Sequence, residues 1–138
     1  MDLADIDEEG KGRLFFGKGK VNYCSLVEGH PNVYLLEVEI HLERDSQKKP
    51  LPGQFYMLKA SPSHVTYFRP ISVYHSSSEG KIVRVQFMIL QKGEGTIELI
   101  RQRAGDEMQL IGPLGTPFEV PSDAKQNAKV CVVGGGPA

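Results

Sequence analysis

Cysteine is scarce, and its scarcity removes several classes at once. The 138 residues hold only Cys24 and Cys131. They form no CxxC pair and no short metal spacing, so no disulfide framework is expected and each reads as a small buried residue. The same economy favours a cytoplasmic setting. His30, His41, His64 and His75 stand in no metal-like spacing with one another or with cysteine, so no metal ligand is assigned. An excess of either charge is missing too. Lysine and arginine number 16 against 17 acidic residues, for a net charge of −1. That leaves no broad basic field for nucleic acid. Long apolar runs are absent, so no stretch is suited to spanning a membrane. The acidic opening "MDLADIDEEGKG" lacks the basic start and apolar run of a signal peptide. No Gly-x-Ser-x-Gly elbow occurs despite the serines of "HSSSEG". No internal repeat or low-complexity tract appears, and no residue is assigned as a catalytic acid, base or nucleophile.

What the chain does have is turns. Its 15 glycines and 9 prolines punctuate short apolar segments. Residues 13–16 and 21–27 read as short strands with "GKGK" as a turn between them. Residues 32–40, "NVYLLEVEI", read as a strand, followed by the polar loop "HLERDSQKKPLPG". A further strand starts at Gln54, and "SPSHVTYF" leads as a loop into "RPISVYH", where Ile71, Val73 and Tyr74 favour an extended chain. "SSSEGK" reads as a turn. "IVRVQFMIL" alternates, and Val83, Val85 and Phe87 are the apolar choice for its core face. The period then changes. Ile97, Ile100 and Ala104 can share one side of a short helix, with Thr96 as N-cap and Gly105 at C′. "EMQLIGPLG" returns to strand and tight turn, and "TPFEVPSDAKQN" is a connector.

Many short strands, one short helix and closely spaced turns predict an all-β fold, a small antiparallel barrel. The stretch "VCVVGGG" is of another kind. Residues 130–133 form a continuous apolar run, which predicts a strand buried on both faces, as in a parallel α/β sheet. The expected organisation is therefore a flexible acidic N-terminus over 1–12, a barrel domain over 13–122, and over 123–138 a linker with the truncated start of an α/β nucleotide-binding domain.

Two motifs can carry anion chemistry. In "FRPIS", Arg69 offers a planar fork of donors suited to phosphate, Pro70 fixes the backbone and Ser72 can give or accept a hydrogen bond. A surface arginine beside a turn proline reads equally simply. In "QKGEGT", Gly93 and Gly95 stand between a strand and a helix, where backbone amides can approach an anion, and Thr96 can cap the helix or meet a phosphate. Lys92 adds positive potential and Glu94 opposes it. Together the two motifs can clamp one dinucleotide, with Val73 and Tyr74 as ring neighbours. His75 reads as a polar rim residue. "GPLGTPF" over 112–118 reads as a rigid turn or a wall of a flat pocket. In "GGGPA", Gly134 and Gly136 satisfy the first two glycines of G-x-G-x-x-G, but Ala138 falls one position before the third.

"PGQF" at 52–55, "FRPIS" at 68–72, "KGEGT" at 92–96, "GDEMQLIGPLG" at 105–115 and "VCVVGGGPA" at 130–138 together resemble the ferredoxin–NADP reductase superfamily. Within it, the chain is most similar to electron-transfer subunits of dihydroorotate dehydrogenase. The resemblance implies a six-stranded Greek-key barrel that binds FAD, a following NAD-binding domain, and a cysteine cluster holding a [2Fe-2S] centre. The latter two are expected outside these residues, which reads the chain as a piece of a longer gene product. Arg69 matches the arginine near the flavin diphosphate or ribityl chain, and Ser72 the residue near the isoalloxazine edge. Gly93, Gly95 and Thr96 match the phosphate-binding turn, and Pro70, Ile71 and Val73 would line the flavin. Plant-type members carry Arg-x-Tyr-Ser, whereas Ile71 stands at the tyrosine place here. The implied activity is NADH-linked electron transfer to a dihydroorotate dehydrogenase-like catalytic subunit. A sulfide dehydrogenase, an NADH-dependent ferredoxin:NADP oxidoreductase and a non-enzymatic binding barrel remain as alternatives.

Overall fold

The computed structural model describes residue 6 and residues 12–63, 67–119 and 129–135. Six strands and one helix follow in chain order: β1 Phe15–Leu26, β2 Val33–His41, β3 Phe55–Ser61, β4 Arg69–Glu79, β5 Ile82–Leu90, α1 Gly93–Ile100 and β6 Glu107–Leu114. Each strand pairs antiparallel with two neighbours, in the closed order β1-β2-β5-β4-β3-β6. The expected barrel is what forms.

Period-two patterning builds it. In β2, Leu36, Val38 and Ile40 point inward, and Val83, Val85, Phe87 and Ile89 do so in β5, each at most 1% exposed. The two strands pair without interruption from Val33↔Leu90 to His41↔Ile82. A one-residue slip of β2 would turn its three inward side chains to water, and a slip of β5 its four, so burial itself fixes the alignment. Tyr56 and Leu58 from β3 and Met108 and Leu110 from β6 complete the interior. The rings of Tyr56 and Phe87 meet edge to face, with centroids 5.8 Å apart at 84°.

The segment "GKGK" is not a turn. It lies inside β1, which runs unbroken through both predicted pieces. Gly19 explains the misreading. It faces the interior, where a β-carbon would sit 2.6 Å from Val38 Cγ1 and 2.8 Å from Leu110 Cδ1. The glycine is there because the opposite side chains fill its place, not because the chain reverses. "SSSEGK" is likewise mostly strand, with the turn confined to Gly80 and Lys81.

The helix also differs from expectation. It begins at Gly93 with Lys92 at the N-cap and ends at Ile100, before Ala104 and Gly105. Its buried residues are Gly95, Thr96 and Leu99, rather than the predicted Ile97, Ile100 and Ala104 stripe, although Ile100 packs on the core while half-buried. Gly105 instead occupies the turn into β6 at φ +94, and its N–H donates to Val21 O at 2.8 Å.

Two further expectations fail. Residues 130–133 form no strand, and Val130, Val132 and Val133 are 72%, 86% and 90% exposed. A strand exists only against a neighbour, and among the described residues none pairs with this run. Cys131 is exposed with it, and Cys24 is half-buried, its thiol donating to Ile100 O at 3.4 Å, so the cysteines are not two core residues. The connector over 120–128 and residues 136–138 lie outside the described residues, as does most of the acidic N-terminus. No helix among the described residues is long and apolar enough to cross a membrane.

Candidate functional site

Barrel closure brings the start of β4, the end of β5 and the start of α1 to one cleft of about 600 Å³. Of the predicted site residues, Arg69, Pro70, Ile71, Ser72, Val73, Lys92 and Thr96 line it, whereas Gly93 and Gly95 are not among its lining residues. Its charged lining side chains are Arg69 and Lys92, with no carboxylate among the described lining residues. The cleft is therefore electropositive and suits an anion.

β4 supplies the long wall. Its pairing with β3, from Phe55↔Ser72 to Leu58↔Arg69, holds residues 69–72 extended. Ile71 and Val73 pack against the core, which fixes the wall's backbone. An irregularity between Val73 and His75 then shifts the register. Tyr74 and His75 lie outside the cleft lining, and Tyr74 is half-exposed.

At the α1 end, the backbone turns at Gly93 with φ +78, a left-handed conformation that favours glycine. Thr96 is not the N-cap. Its hydroxyl sits one turn inside the helix, accepts the Lys92 N–H at 2.6 Å and donates to Gly93 O at 3.0 Å. The hydroxyl proton is thus already used. Thr96 shapes the turn, and the early helical amides are the groups left to meet an anion.

Arg69 and Gly95 are joined more closely than either motif suggests. A β-carbon on Gly95 would lie 2.2 Å from Arg69 Nε and 3.0 Å from its Cζ and Nη2. The guanidinium therefore rests on the bare glycine backbone. Arg69 Nε is buried and has no hydrogen-bond partner among the described residues. A buried cationic donor left unpaired is costly, and an anion in the cleft would satisfy it.

The opposite end is built on Gln54, whose role no local motif shows. Gln54 is 7% exposed and acts as a hub. Its side-chain oxygen accepts the Leu51 N–H at 3.0 Å and its amide donates to Gly115 O at 2.9 Å, while its backbone O accepts the Val73 N–H at 3.0 Å. Phe118 donates its N–H to Pro52 O at 2.9 Å and lays its ring on Gly53, yet stays 73% exposed at the cleft. The "GPLGTPF" segment thus does contribute a wall residue, through its last position. Ile71 leaves the tyrosine place of the plant-type pattern without a ring, but the cleft has an aromatic at its other end.

No family model matches the chain. The dihydroorotate dehydrogenase B (NAD(+)) electron transfer subunit of Clostridium perfringens is 37% identical over 122 residues, spanning 88% of this chain and 42% of that protein. The subunit of the same description from Shouchella clausii is 36% identical over 120 residues, or 86% and 44% of the two chains. That of Clostridium acetobutylicum is 39% identical over 85 residues, or 62% and 32%. The chain thus spans less than half the length of these relatives. Among solved structures, the ferredoxin reductase in carbazole 1,9a-dioxygenase matches with a TM-score of 0.63 at 20% identity, covering 80% of this chain and 32% of that one. A ferredoxin-NADP+ reductase from Plasmodium falciparum matches with a TM-score of 0.53 at 20% identity, covering 85% and 42%.

Proposed function

From a chain of the ferredoxin reductase-like superfamily, related in sequence to dihydroorotate dehydrogenase B electron-transfer subunits, we propose that the barrel binds FAD in this cleft. The observation that carries the reading is the buried, unpartnered Arg69 Nε seated on Gly95 in a cleft lined by two cations. Arg69, Lys92 and the turn through Gly93, Gly95 and Thr96 would hold the diphosphate. Pro70, Ile71, Ser72 and Val73 would lie along the flavin ring, with backbone groups of β4 available to its polar edge.

When bound, FAD supplies hydride acceptance and stepwise electron release. The chain's own residues bind and orient. None of the proposed cleft ligands is a carboxylate, imidazole or thiol, consistent with a role in placing and electrostatically tuning a cofactor rather than moving protons.

In a longer protein of the relatives' length, the barrel over 13–122 would precede a nucleotide-binding domain, of which 123–138 would be the linker and opening segment. That protein would work in the cytoplasm, passing electrons from NADH through FAD and a [2Fe-2S] centre to a dihydroorotate dehydrogenase-like catalytic subunit. The names of its relatives favour this partner over a sulfide dehydrogenase or a ferredoxin:NADP oxidoreductase.

The test is an absorption spectrum of the purified chain after incubation with FAD and desalting, beside Arg69→Ala. Flavin bands retained by the wild type and lost in the variant are expected. Bands retained equally by both would remove Arg69 from the site. A colourless wild type, with no FAD binding by equilibrium titration, would overturn the reading for this chain.

A further inference from the structure

The geometry points to Tyr67 as a positioning residue that presets the Arg69 guanidinium for its anion, an inference that rests on the cleft being the FAD site. Arg69 Nη2 donates to the Tyr67 hydroxyl at 3.0 Å. The Arg69 Cζ lies 4.8 Å from the centroid of the Tyr67 ring, within cation–π range. The third contact is the Gly95 backbone already described. Tyr67 does not line the cleft and is 54% exposed, so it acts through Arg69 and is not itself a ligand.

The sequence logic is local. Tyr67 lies at a bend two residues before Arg69, where β4 begins, and its ring and hydroxyl reach the guanidinium past Phe68. A free arginine side chain has large rotamer freedom, which an anion would have to quench on binding. Tyr67 removes part of that freedom beforehand. It holds Nη2 while Nε carries no hydrogen bond, so the fork is oriented without all its donors being used. Preorganisation of this kind raises affinity without adding a contact to the ligand.

Two variants separate ring from hydroxyl. Tyr67→Phe keeps the ring and loses the hydrogen bond, whereas Tyr67→Leu loses both. The Kd for FAD is expected to rise about threefold in the first and about tenfold in the second. Riboflavin, which lacks the diphosphate, should bind all three proteins alike. In an Arg69→Ala background, Tyr67→Leu should add nothing, because its effect runs through the arginine.

A ligand-free readout accompanies the titrations. The ¹⁵N-edited resonance of Arg69 Nε–H should move in Tyr67→Leu, which removes the ring current, and move much less in Tyr67→Phe. An unmoved resonance with unchanged Kd values overturns the proposal. So does an equal loss of affinity with and without Arg69, which would mark a general packing role. If Arg69→Ala binds FAD as tightly as the wild type, the cleft reading falls and this inference with it, whereas a failure confined to the Tyr67 variants leaves the cleft reading standing. Thermal melting of each variant identifies any loss of fold, and Tyr67→Phe is the conservative control.

Discussion

Gly95→Ala should make the protein bind worse while folding no worse. Gly95 lies inside α1, where replacing glycine by alanine favours the helix by about 0.5–1 kcal/mol. Nothing about its backbone forbids alanine, because it is not among the glycines with positive φ. The new methyl group would meet Arg69 Nε at 2.2 Å, far inside contact distance. The obstacle is the far end of a flexible side chain, so the arginine swings away and the barrel survives. What is lost is the guanidinium's seat. A hydrogen bond to a charged group contributes roughly 1.5–3 kcal/mol. FAD affinity should therefore fall about 10- to 100-fold. Thermal melting of the ligand-free chain and an FAD titration read the two effects separately. The expected result is an unchanged or higher Tm with a much higher Kd. An unchanged Kd would refute the reasoning, because the anion would not then need Arg69 where it sits. A fall in Tm of several degrees would show that the guanidinium cannot move aside and that its seat is part of the fold.

Two other expectations concern the barrel itself. Gly19→Ala should destabilise by about 1–3 kcal/mol through overpacking, seen as a lower urea midpoint with FAD affinity per folded molecule unchanged, and an unaltered midpoint would mean that Val38 and Leu110 can part. Glu39 sits below the usual carboxylate range, first because of the hydrogen bond from His41 and then through the charges of His41, Arg84 and Lys20, against an opposing effect of burial. A depressed folded pKa adds stability above the unfolded value, about 4.3, which is lost as pH falls through the lower folded one. The stability gap between the wild type and Glu39→Gln should therefore close on acidification through that window, and a gap constant from neutral pH to about pH 3 would refute the assignment.

The barrel was legible because its signal is local. Leu36, Val38 and Ile40 alternate with polar residues, as do Val83, Val85 and Phe87, and that pattern alone selects strand and face. The same locality misled elsewhere. Gly19 looks like a turn residue until Val38 and Leu110 are seen across the interior. Thr96 looks like an N-cap because serine and threonine often are, yet its hydroxyl bonds backward to Lys92 and Gly93 from inside the helix. Of the cleft lining, Arg69 and Lys92 were readable because each stands in a short motif. Gln54 was not, because its importance lies in a bond to Gly115, 61 residues away. In the sequence Tyr67 reads only as loop, since its contact with the guanidinium shows only in the folded chain. The exposed valines at 130, 132 and 133 show the limit from the other side: an apolar run states a preference for burial but cannot supply the surface that buries it.

Closure of the barrel has a consequence for how the protein meets others. With β1 hydrogen-bonded to both β2 and β6, the sheet has no edge strand, so another polypeptide cannot add to it by continuing the ladder. Recognition of the barrel must run through side chains and loops. Among the described residues outside the barrel, 129–135 combines an unpaired backbone with exposed valines. Left uncovered at high concentration, that short segment is where intermolecular β-association of this polypeptide would nucleate, with the barrel carried along still folded.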